Sequence, residues 1–200
     1  MRATPTKRGR QERVLRIIAG RWRGRKFRFP ALDIRPTPDR VRETLFNWLQ
    51  PRIQGAHCLD LFAGSGALGL EALSRGAASV VFVEQQRSAA AAITQLWRDW
   101  RGEEPSLETA ILCDEAQRYL SAPAPRRFDI VFLDPPYDSG HVAMAASALE
   151  RGWLARDARI YVERARRDPP PAVPSRWHEL RAGTAGEVGY HLYSAGTEGA

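Results

Sequence analysis

Lysine is almost missing from this chain: of thirty basic residues only Lys7 and Lys26 are lysines. An arginine bias of that kind can follow genome composition, so it carries little functional weight. Cysteine is scarce too. Cys58 and Cys113 lie far apart without metal-like spacing, which argues against a disulfide framework or a cysteine-bound metal. Both flank expected strands, so they are expected to be small buried residues in a reduced, cytoplasmic setting. No apolar run approaches the roughly 20 residues of a membrane helix, so no membrane association is expected. The basic N-terminus lacks an apolar segment followed by a small-residue cleavage site and does not read as a signal peptide.

The 200 residues suffice for one α/β domain plus a short extension, and 44% hydrophobic with 26% charged residues fits a soluble globular protein. The net charge of +7 is unevenly spread. Residues 1–30 hold eleven Lys or Arg and one acid, Glu12, a local charge of +10, whereas the remaining 170 residues sum to −3. The basic character belongs to an N-terminal arm and suggests a polyanionic partner, although basic runs are also common as solvated faces.

Residues 1–12 read as a disordered basic tail. Residues 13–37 form a basic extension for binding nucleic acid: apolar and basic residues alternate over 14–29, with Gly20 and Gly24 as turns, as in a β-hairpin. Arg21, Arg23, Arg25 and Lys26 are the expected contacts to phosphate, set between Trp22, Phe27 and Phe29. Pro36 and Pro38 end the hairpin, and a helix begins near Asp39 with Val41, Leu45, Phe46, Trp48 and Leu49 as its apolar face.

Residues 38–200 form the main domain. Expected strands at His57–Phe62, Ser79–Glu84, Leu107–Leu112, Asp129–Leu133 and Ala158–Glu163 alternate with helices at Ala67–Arg75, Arg87–Trp100, Glu115–Leu120 and His141–Arg151. This alternation implies a parallel sheet covered on both faces. After Pro169-Pro170-Pro171, Trp177–Leu180 and Val188–Tyr193 read as a closing hairpin.

Two motifs carry chemistry. Gly64, Gly66 and Gly69 match G-x-G-x-x-G between a strand and a helix, where backbone amides can approach a ligand. Ala63, Gly64, Ser65 and Gly66 are expected over the cofactor, and Glu84 at the next strand end suits ribose hydroxyls. A dinucleotide would fit these residues equally. Asp60 tips the balance, since a carboxylate there would repel a pyrophosphate but suits the ammonium and sulfonium of S-adenosylmethionine. Asp114 is placed for the adenine amine. The plain alternative for both acids is a cap or loop role at a strand end.

The second motif is Asp134-Pro135-Pro136-Tyr137, ending an apolar strand. An exocyclic base amine is a poor nucleophile because its lone pair is delocalised. The Asp134 carboxylate and the Pro135 carbonyl can grip its two hydrogens, Pro136 stiffens the loop, and Tyr137 offers a ring for stacking an extruded base. Transfer from an already activated sulfonium then needs mainly positioning. No cysteine follows a proline here, which favours nitrogen over carbon as the target. An isolated Pro-Pro turn ending a buried strand is the alternative.

At this point the chain resembles the bacterial small-subunit ribosomal RNA guanine-N2 methyltransferases. The resemblance rests on Arg16-Ile17-Ile18-Ala19-Gly20, Trp22-Arg23-Gly24-Arg25, Arg35-Pro36-Thr37, the run Asp39 to Leu49, Leu59 to Gly66, and Asp134 to Tyr137. It implies a Rossmann-like class I methyltransferase fold with a mostly parallel seven-stranded sheet, S-adenosylmethionine as donor without a metal, and a guanine of small-subunit rRNA in the 30S subunit as acceptor. A monomer is expected. The resemblance also puts Arg35, Thr37, Arg40, Arg42 and Asn47 near the cofactor or base, with Arg35, Arg40 and Arg42 facing RNA. A DNA or other RNA amine methyltransferase shares the central motifs, but a DNA enzyme would normally need a separate target-recognition domain. A dinucleotide oxidoreductase leaves Asp60 and the Asp-Pro-Pro-Tyr loop unexplained, and a non-enzymatic RNA-binding module leaves both motifs without purpose.

Overall fold

The computed structural model describes residues 12–30, 37–101, 107–136 and 140–196. A two-stranded antiparallel hairpin, β1 (Glu12–Arg16) and β2 (Lys26–Pro30), precedes the main sheet. The helix α1 (Asp39–Ile53) follows, then β3 (His57–Asp60), α2 (Ala67–Ser74), β4 (Ser79–Val83), α3 (Arg87–Trp100) and β5 (Glu108–Leu112). The chain continues with α4 (Ala116–Ser121), β6 (Phe128–Leu133), α5 (His141–Leu149) and β7 (Leu154–Ala165), and ends in the hairpin β8 (Trp177–Ala185) and β9 (Val188–Ala195).

The seven-stranded sheet has the order β5-β4-β3-β6-β7-β9-β8. Strands β3 to β7 are parallel, and β9 runs antiparallel to both β7 and β8. From β3 the chain winds outward through β4 and β5, then crosses back to place β6 on the other side of β3. That reversal opens a crevice at the carboxyl ends of β3 and β6, where open α/β sheets bind ligands.

Strand alternation divides the core into two layers. Cys58, Phe82, Ile130, Phe132 and Tyr161 face α1, α2 and α3. Leu59, Val131, Leu133 and Ile160 face α4 and α5, with Trp153 packed against Phe128. Gly69 is required by packing: a Cβ there would lie 2.2 Å from the Phe82 ring.

The N-terminal hairpin is joined to the domain. Trp22 lies 5.3 Å from Trp100 and 6.4 Å from Trp97, and Phe27 meets Trp100 at 5.9 Å. The buried Glu71 carboxylate of α2 accepts the amides of Ile18 and Ala19 at 2.8 and 3.0 Å. Gly20, at φ +86°, passes so close to Ser74 that a Cβ would meet its carbonyl oxygen at 2.0 Å.

Several expected boundaries shift. The closing hairpin is longer than its apolar pattern suggests, because β8 is an edge strand whose residues are mostly exposed, so nothing enforces alternation. β7 begins at Leu154, through the exposed Arg156 and Asp157, with the pairing register shifting between Phe128 and Ile130. Cys58 is buried as expected, but Cys113 is exposed, because it lies just past the end of β5. The basic tail falls outside the described residues except for Glu12, which pairs with Pro30.

Candidate active site

A cleft of about 260 Å³ opens over the carboxyl ends of β3, β4, β5 and β6. Its walls include Asp60, Ala63, Gly64, Ser65, Glu84, Asp114, Asp134, Pro135 and Pro136. The strand ends thus bring the residues expected for cofactor and for amine into one cavity. Gly66 does not line it. Gly66 caps α2 at φ +76°, with Gly64 at φ +53° in the same turn, and both conformations favour glycine. Tyr137 and Arg35 lie outside the described residues.

The glycine loop uses its amides differently from a phosphate cradle. The Gly64 amide donates to Glu84 Oε2 at 2.7 Å, and the Gly69 amide to Asp60 Oδ2 at 3.0 Å. The Gln86 amide donates to the other Glu84 oxygen at 2.6 Å. Two amides that could have met an anion are therefore occupied by carboxylates, which suits a cationic ligand better than a pyrophosphate. Asp114 accepts the amide of Glu115 at 2.7 Å and pairs with Arg118 at 2.6 Å, so it caps the approach to α4 as well as lining the cleft.

The cleft is rich in acid. Burial holds the Asp60 carboxyl up at about 7, against the pull of the Gly69 amide and assisted by the nearby Glu84. Burial also raises Glu84, although two amides oppose it. Asp134 is raised by burial and by the neighbouring Glu163, while the Thr37 hydroxyl donates to its Oδ2 at 3.2 Å and lowers it. Carboxyls held this way become favourable anions when a cation enters beside them. The donor set therefore fits the ammonium and sulfonium of S-adenosylmethionine.

The sequence reading did not single out Glu163 and Tyr161. Glu163 follows Val162, the register partner of Leu133, so it lies across the β6–β7 pair beside Asp134. It is 2% exposed and accepts the Tyr161 hydroxyl at 2.6 Å. The signal available was register: Glu163, two residues before the end of β7, lies across from Asp134, which follows the end of β6. Phe62 and His141, with rings 5.8 Å apart, line the same cleft.

Arg42 departs from the sequence reading. It is fully buried, pairs with Asp39 at 2.6 Å, lies 3.8 Å from Glu71, and donates to the Arg16 carbonyl. Its position on the inner face of α1 gives it a role in holding the hairpin, not in touching RNA. Arg40 is exposed, and Thr37 is buried against Asp134. Among the hairpin residues Arg21, Arg23 and Lys26 are exposed, while Arg25 is half-buried with its guanidinium 4.7 Å over the Trp100 ring.

Comparison with known proteins agrees with this geometry. The family model described as conserved hypothetical protein 95 matches residues 15–194. A relative named ribosomal RNA small subunit methyltransferase D from Escherichia coli strain K12 is 43% identical over 187 residues, covering 92% of each chain. The protein of the same name from Haemophilus influenzae is 45% identical over 185 residues, covering 90% of this chain and 93% of its own. A solved methyltransferase structure from Escherichia coli superposes with a TM-score of 0.81 at 41% identity, over 92% of this chain and 99% of that one. The architecture is accordingly the class I methyltransferase fold. The chain belongs to the conserved hypothetical protein 95 family, beside the proteins named ribosomal RNA small subunit methyltransferase D.

Proposed function

We propose that this chain is a methyltransferase that moves a methyl group from S-adenosylmethionine to the exocyclic N2 amine of one guanine in small-subunit ribosomal RNA, with the 30S subunit as substrate. The observation that carries the reading is the meeting of Asp134-Pro135-Pro136 with the Asp60 and Glu84 acids in one cleft. The names of the relatives support ribosomal RNA as the acceptor.

When bound, S-adenosylmethionine supplies a methyl group already activated on a sulfonium. Asp60 and Glu84 offer negative charge around it, and Glu84 keeps the Gly64 turn closed. Asp134 accepts a hydrogen of the base amine and turns its lone pair toward the methyl group, with the Pro135 carbonyl as second acceptor. Tyr137 stacks on the base. Arg21, Arg23, Arg25, Lys26, Arg35 and Arg40 hold the RNA backbone from the hairpin side.

The deciding experiment is mass spectrometry of nucleosides from 30S subunits lacking the modification, after reaction with isotope-labelled donor. Labelled N2-methylguanosine is expected. Label in adenosine, in a carbon-methylated base or only in added DNA would overturn the assignment. Replacing Asp134 by Ala is expected to leave donor binding by calorimetry in place while single-turnover transfer falls by about 10² or more, the scale of losing one preorganised polar contact. A near-normal rate would mean that the amine is activated elsewhere.

A further inference from the structure

We propose, resting on the amine-methyltransferase reading, that Thr37 is a positioning residue for the transfer: its hydroxyl donates to one oxygen of the Asp134 carboxylate and so aims the other at the incoming amine.

Thr37 reaches the cleft from outside the main sheet. It lines the cavity with Asp134, Pro135 and Pro136, is only 4% exposed, and donates to Asp134 Oδ2 at 3.2 Å. Two elements fix that contact. Pro38 follows Thr37 and caps α1, its carbonyl accepting the amides of Val41 and Arg42 at 3.0 Å each. A residue before proline is pushed toward extended backbone, so Thr37 has little conformational choice. The helix α1 buries Val41, Leu45, Phe46 and Leu49, and Phe46 meets Phe132 of β6, the strand that leads into Asp134, at 5.9 Å. Hydroxyl and carboxylate therefore come from two elements clamped together by the core.

A neutral hydroxyl suits this task. A carboxylate offers two oxygens with about four acceptor positions between them. With Oδ2 held by Thr37, Oδ1 keeps its lone pairs for an amine hydrogen. A cationic partner would neutralise the carboxylate and compete with the amine, whereas Thr37 leaves the charge in place. Branching at Cβ restricts the threonine side chain, so the buried hydroxyl has few other directions to take. The same bond favours the ionised form. Burial and the negative charges of Glu163 on β7 and Asp60 on β3 raise the Asp134 carboxyl, and the Thr37 hydroxyl pulls it down.

The test on the full-length protein combines single-turnover methylation of 30S subunits at saturating donor, donor affinity by calorimetry and 30S affinity by filter retention. T37V keeps the side-chain shape and loses the hydroxyl hydrogen. It is expected to bind both ligands like the parent and to transfer about tenfold to a hundredfold more slowly, the scale of one hydrogen bond to a charged group. T37A is expected to show the same loss, and T37S, which keeps the hydroxyl, to recover most of the rate. Transfer falls on the acid side as Asp134 takes up a proton, and in T37V that fall is expected at higher pH. D134A removes the group through which Thr37 acts, so T37V added to D134A is expected to cost nothing further. A T37V rate and acid-side fall equal to the parent's, or the full loss repeated on top of D134A, would overturn the positioning role while leaving the amine reading intact. A T37V loss that appears in donor or 30S affinity and not in the rate would overturn it too. A parent that puts no label on guanine N2 of 30S subunits would instead sink the amine reading, and the role of Thr37 with it.

Discussion

A carboxylate shut away from water resists ionisation unless positive charge compensates it, and this cleft gathers Asp60, Glu84 and Asp134 with no buried cation among the described lining residues. The consequence is readable in pH dependence. Asp60 in the folded chain is held at about 7, well above its unfolded value. The folded state therefore binds more protons than the unfolded chain between about pH 7 and the ordinary carboxylate range. Donor-free protein is accordingly expected to gain stability as pH falls through that window and to lose it as pH rises to about 7. A cationic donor needs the ionised form, so its stabilising shift in Tm is expected to be larger near pH 8 than near pH 6. Differential scanning calorimetry with and without S-adenosylmethionine at the two pH values checks both signs. An equal donor-induced shift at both would mean that Asp60 does not sense the ligand's charge.

At the scale of elements, α2 links the two halves of the molecule. Its N-terminus begins at the cofactor loop, and its buried Glu71 holds the hairpin amides of Ile18 and Ala19 as well as Arg75 at 2.7 Å. Arg42 lies buried 3.8 Å away. Replacing Glu71 by Ala takes the acceptor from two hairpin amides and the carboxylate from Arg75, while Arg42 keeps Asp39; removing a buried charged partner of this kind costs up to about 3–5 kcal/mol. Urea unfolding is expected to show that loss, and limited proteolysis is expected to cut first within the hairpin. A variant as stable and protease-resistant as the parent would mean that the hairpin is held by its aromatic contacts alone. None of this was legible in the sequence. Glu71 lies in a run, Ala67-Leu68-Gly69-Leu70-Glu71-Ala72-Leu73, whose apolar periodicity gave the helix but not the partner of its one acid. The parallel strands and the two motifs were legible because buried strands and glycine turns leave local patterns. Glu163 and Arg42 were not, because their meaning depends on which strand lies beside which and on which face of α1 turns inward.

At the scale of the whole molecule, charge is separated from chemistry. The first thirty residues carry +10 and the rest −3, while the cleft is acidic. A polyanion would be repelled by the cleft unless the hairpin held it. The packing shows how that charge is presented: Phe27 and Phe29 of β2 turn inward, Lys26 and Arg28 turn outward, and Arg21 and Arg23 are exposed on the turn. Arg28 is partly answered by Glu12 at 3.4 Å, and Arg25 spends its guanidinium on Trp100. Arg21, Arg23 and Lys26 are exposed, and we propose them as contacts to phosphate. Thr37, seven residues beyond the end of β2, touches Asp134, so the hairpin stands close in sequence to a residue that reaches the Asp134-Pro135-Pro136 loop. Each contact to single-stranded phosphate contributes about −0.7 to the slope of log affinity against log salt. Replacing Arg21, Arg23 and Lys26 together by Gln is expected to flatten that slope by about 2 and to weaken 30S binding, leaving donor affinity by calorimetry unchanged. A salt titration of 30S binding by filter retention checks the slope. If the triple variant binds and methylates 30S subunits like the parent at every salt concentration, the hairpin's charge serves solubility and the RNA is held elsewhere.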